Sequence, residues 1–300
     1  MKTSRARLAP DTRLNAQAIR GAHVEGQGPA VVLLHGSMSS KKQWAELVQS
    51  MRGSYRLIAL DLHGYGSAPP PPVDGHFSVS DEVRLVEAVL ASALSADEGF
   101  HLVGHSYGGV VALQLAQGKP KRVRSLSLFE PIPYQVLPPH DAAVADMLSV
   151  HQQIEAALRN GDARVGAAAF VDYWSGRGAF SRMTEERRRA LCEMLPKTVL
   201  EIHAVATQVL TAERCKQIIA PVCLIAGRES PRAAQIATEV LASLLPHARQ
   251  MQVDAGHLAP ATHPHLVNPV IECFIRGVER ELHDSFKCDS SNARCHALML

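Results

Sequence analysis

The chain has 300 residues, with 31 Lys+Arg against 29 Asp+Glu, a formal net charge of +2. Hydrophobic residues make up 46%, charged residues 20% and aromatic residues 5%. This near-neutral balance argues against a dedicated nucleic-acid binder, and the apolar content excludes wholesale disorder. No apolar run approaches the roughly 18–20 residues of a transmembrane helix. A length of this order is a soft prior for one or two domains.

Residues 1–11 are basic, and no apolar stretch of a secretory signal follows them. Two readings are open for this arm, a frayed basic end or a mitochondrial-type targeting segment. The first strand is expected at Val31–Leu34, an uninterrupted apolar run. A helix follows at Trp44–Met51 and a second strand at Arg56–Leu60. Residues 69–72 are all proline, which makes a rigid surface loop. Val83, Val86, Leu90 and Leu94 repeat at helical spacing over 81–94, with Ser80 as the expected N-cap. Asp81 and Glu82 then favour the positive end of the helix dipole.

Phe100–Val103 is a strand, Val110–Gln117 a helix and Val123–Phe129 another strand. Strand–helix alternation then stops between Pro131 and Pro221, where the periodicity is helical. It resumes at Val222–Ala226, with a helix at 231–245, a strand at 248–253 and a last helix near 265–281. Short apolar strands alternating with amphipathic helices imply a mostly parallel sheet covered on both faces. The expected organisation is an α/β core at 12–130 and 221–281, a helical cap inserted at 131–220, and flexible termini at 1–11 and 282–300. The six cysteines are scattered without a C-x-x-C pair, so the default is reduced thiols in a cytoplasmic protein. Cys288 and Cys295 lie in a polar tail and can bridge under oxidising conditions.

Chemistry concentrates at Gly104-His105-Ser106-Tyr107-Gly108-Gly109, between a strand and a helix. Gly-x-Ser-x-Gly in that context is the pattern of a nucleophile elbow. The turn is so tight that only very small residues fit two positions either side of the serine. His257, in Asp254-Ala255-Gly256-His257 after the last strand, is the expected base among 15 histidines. Of the others, His105 is expected to point away from the elbow into the core. His263 and His265 have no third ligand nearby, and no metal site is expected.

The segments Gly104–Gly109, His35-Gly36-Ser37, Asp61-Leu62-His63-Gly64-Tyr65-Gly66-Ser67 and Gly256-His257 together resemble the α/β-hydrolase superfamily. The resemblance covers about residues 12–280, the middle block matching only as a generic helical cap. His63 stands where relatives usually carry Arg. The resemblance implies an α/β-hydrolase fold and a serine hydrolase that needs no cofactor. It also implies an oxyanion hole formed by the backbone N–H groups of Ser37 and Tyr107.

The acid departs from the usual pattern. Relatives commonly place it three residues past a glycine after strand 222–226, but Gly227-Arg228-Glu229-Ser230-Pro231 has Ser230 there. Ser230-Pro231 reads instead as a helix N-cap and first helical residue. Two acids remain open: Glu130, at the tip of strand 123–129 where haloalkane dehalogenases carry theirs, and Glu229. Glu130 is favoured, because an acid at the end of an apolar strand in a parallel sheet needs a reason.

Phe170–Trp174 is the most aromatic stretch. Tyr173 and Trp174 either line a substrate pocket or pack the cap onto the core. The expected reaction runs through an acyl-enzyme on a small to medium ester, lactone, thioester or C–C (diketone) substrate. Alternatives are an acyltransferase with the same triad or a non-catalytic ligand-binding relative. The expected partner is a small-molecule acyl substrate, without nucleic acid or a transmembrane segment, and a homo-oligomer is left open.

Overall fold

A computed structural model of the chain describes residues 18–73, 76–208 and 210–297, with side chains through Asp284. The basic arm at 1–11 and the thiols of Cys288 and Cys295 lie outside the described residues.

The core strands are β1 (Ala22–Glu25), β2 (Ala30–Leu34), β3 (Arg56–Leu60), β4 (Phe100–His105), β5 (Val123–Phe129), β6 (Val222–Gly227) and β7 (Ala248–Val253). They form one seven-stranded sheet in the order β1-β3-β2-β4-β5-β6-β7. All neighbours are parallel except β1, which pairs antiparallel with β3. The sequence analysis missed β1. Its four residues, Ala-His-Val-Glu, are half-buried or exposed, so no apolar run marks it.

Side-chain alternation divides the core into two layers. Val32, Leu34, Ile58, Leu60, Leu102, Leu126 and Leu128 face one side. There they meet α2 (Val79–Ala93) and α3 (Tyr107–Gly118) through Leu85, Val89, Val110 and Leu113. Val31, Leu33, Leu57, Val103, Phe129 and Ile225 face the other. They meet α1 (Ala45–Met51) through Leu47 and Val48, and the last helix through Val267, Ile271 and Ile275. Central strands buried on both faces read as apolar runs, most plainly in β2, β3 and β6 and less so in β4 and β5, where His101, Arg124, Ser125 and Ser127 interrupt them.

Between β5 and β6 the described chain forms α4 (Ala142–Arg159), α5 (Ala163–Ser175), α6 (Glu185–Ala206) and the short α7 (Ala212–Lys216). After β6 come α8 (Arg232–Leu244), α9 (Ala259–Thr262) and α10 (Pro264–Ala297).

Several local expectations change. Ser78, not Ser80, starts α2: its N–H and hydroxyl both donate to Asp81 Oδ2, at 2.8 and 2.7 Å. Asp81 is therefore a capping partner. Ser230 caps nothing, since α8 begins at Arg232 and the Ser230 hydroxyl is buried without a partner. The last helix does not stop near 281 but runs to Ala297. Residues 282–297 contain neither Gly nor Pro, so no helix breaker separates the polar tail from the packed part.

Candidate active site

The elbow is built as steric reasoning requires. β4 ends at His105 and α3 starts at Tyr107, leaving Ser106 alone at the corner with φ 51° and ψ −118°. A Cβ on Gly104 would lie 2.7 Å from Gly109 Cα, and one on Gly108 would lie 2.4 Å from the His35 carbonyl oxygen. Neither position admits a side chain, so backbone passes close on both sides of the serine. The Ser106 N–H donates to the Phe129 carbonyl at 2.9 Å, which ties the corner to β5.

His257 sits in the turn between β7 and α9. Its Nε2 lies 3.1 Å from Ser106 Oγ and its Nδ1 lies 2.6 Å from Glu130 Oε2. A carboxylate at Nδ1 fixes the tautomer: Nδ1–H donates to Glu130, so Nε2 accepts from the Ser106 hydroxyl. Glu130 is fully buried. The Gly227 N–H donates to its other oxygen at 2.7 Å, and its own N–H donates to the Ile225 carbonyl at 3.1 Å. Glu130 holds φ at 45°, outside the range most side chains adopt, one residue before Pro131. The alternative acid does not join this group. Glu229 is exposed, and its N–H donates to the Ala255 carbonyl at 3.1 Å.

His105 does face away from the elbow, and it supports His257 from behind. Its Nε2–H donates to the His257 carbonyl at 2.9 Å, and the two rings lie 5.0 Å apart. Burial holds His105 well below the ordinary imidazole range, so it is neutral. Burial also pushes His35 down to about 4. Neutral His35 donates Nδ1–H to the Gly36 carbonyl at 2.7 Å and accepts the Leu62 N–H on Nε2 at 3.0 Å. A trans peptide carries its N–H opposite its C=O, so the first bond turns the Ser37 N–H away from His35. Ser37, Ser106 and Tyr107 border the same narrow cavity, whose volume is about 40 Å³. Tyr107 is the first residue of α3, where N–H groups lack intrahelical partners and the dipole is positive.

Phe170, Trp174 and Ile132 give the cavity apolar walls. The Trp174 ring lies 4.3 Å from the His257 ring. Tyr173 does not border the cavity; it stands edge-on behind Trp174 at 4.8 Å, and partial burial pushes its hydroxyl up to about 12. Trp174 also packs with Ile132, Met147 and Ala233, so it belongs both to the cavity and to the cap–core seam.

The polar floor of the cavity escaped the sequence analysis. His151, Thr198 and Glu201 border it from α4 and α6. His151, also pushed down to about 4 by burial, lies 3.1 Å from the Tyr134 hydroxyl. Lys197 is buried between two carboxylates, Glu82 Oε1 at 3.0 Å and Glu201 Oε1 at 2.7 Å. The rings of Phe77, Tyr107 and Tyr65 surround its ammonium at 4.6, 4.9 and 5.1 Å. Lys197 and Glu201 are four apart on one helix, the signature of an ordinary surface pair. Glu82 is fully buried and accepts the His63 N–H at 3.0 Å, so it serves more than the helix dipole. His63 Nδ1 in turn lies 3.1 Å from the Pro70 carbonyl, tying down the proline run.

The family model for the alpha/beta hydrolase fold matches residues 29–264.

The chain belongs to the α/β-hydrolase fold family.

Among curated proteins, this α/β-hydrolase is 36% identical over 113 residues to the "Probable lysophospholipase BODYGUARD 1" of Arabidopsis thaliana, covering 36% of this chain and 24% of that protein. It is 38% identical over 103 residues to the "Pimeloyl-[acyl-carrier protein] methyl ester esterase" of Aeromonas hydrophila, covering 34% and 37%. Each alignment thus spans well under half of the relative. Among solved structures, the enol-lactonase from Burkholderia xenovorans LB400 superposes with a TM-score of 0.69 at 17% identity, covering 85% of this chain and 93% of that one. At that identity the likeness is one of fold. Among the described residues no helix is long and apolar enough to cross a membrane.

Proposed function

We propose that the protein is a serine hydrolase that cleaves a small to medium ester, lactone, thioester or diketone C–C bond through an acyl-enzyme. The observation that carries this reading is His257 bridging Ser106 Oγ at 3.1 Å and the buried Glu130 carboxylate at 2.6 Å. Ser106 is the nucleophile, and Nε2 of His257 takes its proton as Oγ attacks the carbonyl. Glu130 holds the imidazole and stabilises the imidazolium. The Ser37 and Tyr107 N–H groups receive the oxyanion, each worth roughly 100- to 1000-fold in rate. Nε2–H then protonates the leaving group, and water repeats the sequence on the acyl-enzyme. Trp174 and Phe170 form an apolar wall for the substrate.

The methyl ester esterase named among the relatives agrees with this chemistry. A ligand-binding relative is disfavoured by Glu130 itself: burying a carboxylate is costly, and a binder has no use for one aimed at His257. Free thiols at Cys192, Cys215, Cys223 and Cys273 agree with a reducing cytoplasm. The test is to quench the protein with acid during turnover of p-nitrophenyl butyrate and map the adduct. We expect butyryl on the peptide carrying Ser106 and none in Ser106→Ala. Unchanged turnover by Ser106→Ala would overturn the reading.

A further inference from the structure

The polar floor of the cavity has an unbalanced charge. Glu82 and Glu201 are two carboxylates sharing one ammonium, Lys197, and Glu201 is only 2% exposed. Lys197 occupies Glu201 Oε1, whereas Oε2 is buried without a hydrogen-bond partner among the described residues. A buried carboxylate oxygen left unpaired is expensive, and it calls for a partner such as a water, an ion or a ligand group. This oxygen belongs to a residue bordering the same cavity as Ser106 and Ser37. The Ser37 hydroxyl lies close enough to pull the Glu201 carboxyl down without making a hydrogen bond to Oε2, and the other polar groups there are engaged elsewhere. Neutral His151 already contacts Tyr134, and the Thr198 hydroxyl donates to the Met194 carbonyl at 3.2 Å.

Resting on the reading of Ser106 as nucleophile, we propose that Glu201 is the specificity residue of the cavity and that its free oxygen accepts a hydrogen bond from a hydroxyl or ammonium on the substrate. The preferred substrate is thus a donor-bearing ester rather than a plain aliphatic one. Burial pushes the Glu201 carboxyl up, while Lys197 opposes that shift and stays charged. The site therefore gains from a donor whether the donor is neutral or cationic. A cationic donor also cancels the excess negative charge. Selectivity follows from the same asymmetry: a substrate without the donor strips water from the carboxylate and returns nothing.

The test uses the intact protein and two matched ester series. On the acyl side, p-nitrophenyl butyrate is compared with its 3-hydroxy and 3-amino analogues. On the alcohol side, ethyl butyrate is compared with its 2-hydroxyethyl and 2-(dimethylamino)ethyl counterparts. The readout is the ratio of kcat/KM for each donor ester over its plain partner. We expect a ratio of about 10 to 100 in at least one series, the worth of one hydrogen bond to a charged acceptor. Glu201→Gln lowers that ratio most for the cationic donor, separating ammonium from hydroxyl recognition. Glu201→Asp keeps the ion pair but shortens the reach, and lowers the ratio too. A ratio near one in the unmodified protein, or one unchanged in both variants, overturns the proposal while ester turnover leaves the role of Ser106 standing. Absence of any acyl adduct on Ser106 with every ester overturns both.

Discussion

Replacing Glu130 by Gln is the sharpest single perturbation of the site. The carboxylate is fully buried and uses both oxygens, one on His257 Nδ1 at 2.6 Å and one on the Gly227 N–H at 2.7 Å. A glutamine has the same shape, and its oxygen can keep the Gly227 bond. Its NH2 group then faces Nδ1 and donates to it, which moves the imidazole proton to Nε2. Nε2–H can no longer accept from Ser106, so the base is lost while the fold remains. The same tautomer error in another Ser-His-Asp enzyme costs about 10⁴ in kcat, so we expect a loss of about 10³ to 10⁴, or ~4–5.5 kcal/mol in the barrier. Glu229→Gln, altering an exposed side chain, should change kcat by less than about twofold. The assay is kcat on p-nitrophenyl butyrate, with circular dichroism to establish that both variants are folded. A folded Glu130→Gln protein within tenfold of the parent, or a larger loss in Glu229→Gln, would refute the assignment.

Three further outcomes concern stability. Ser106 is held at φ 51°, so Ser106→Gly should relieve roughly 1–3 kcal/mol of strain and melt above Ser106→Ala; equal melting temperatures would show the corner to be unstrained. His35 and His151 sit near 4 in the fold against an ordinary 6.5, so the unfolded chain takes up protons first as pH falls. The stability they contribute is full above about pH 6.5 and drains towards about pH 4, by up to ~1.4 kcal/mol per pH unit for each. Urea melts across that window should show the decline, and His151→Gln should flatten it; an unchanged slope in the variant would remove His151 from the explanation. Lys197→Met strands two buried carboxylates and should cost ~3–5 kcal/mol, with recovery when Glu82→Gln and Glu201→Gln are added. Denaturant midpoints that stay level across this series would show that the trio is not energetically coupled.

The parts of the fold legible in the sequence are those where one local signal suffices. β2, β3 and β6 are apolar runs because a parallel strand is buried on both faces, and β4 and β5 keep enough of that character to be read. The Ser106 corner is legible because its glycines answer a steric demand that no other residue type meets. Glu130 stood out for a different reason, as an ionisable residue at the end of a strand, where burial is costly without a partner, and His257 is that partner in the structure. What stayed hidden depends on burial that only the tertiary fold creates. Lys197 and Glu201 have the spacing of a surface ion pair, and nothing local reports that α6 presses them against Glu82 and the ring of Tyr107. β1 was missed because an edge strand of four residues carries little periodicity. The length of α10 is hidden because its polar C-terminal part resembles a tail, although no breaker stands there. Trp174 was half legible: its aromatic neighbourhood marked a contact surface, while its place beside His257 depends on how the cap closes.

Every step of the proposed chemistry starts from Ser106 as an activated nucleophile. The measurement is the intact mass of the protein after incubation with a fluorophosphonate, in the unmodified chain and in Ser106→Ala. One phosphonyl group per chain, absent from the variant, is what a serine hydrogen-bonded to His257 must give. A folded protein that stays unlabelled, or labelling that persists in Ser106→Ala, would contradict it.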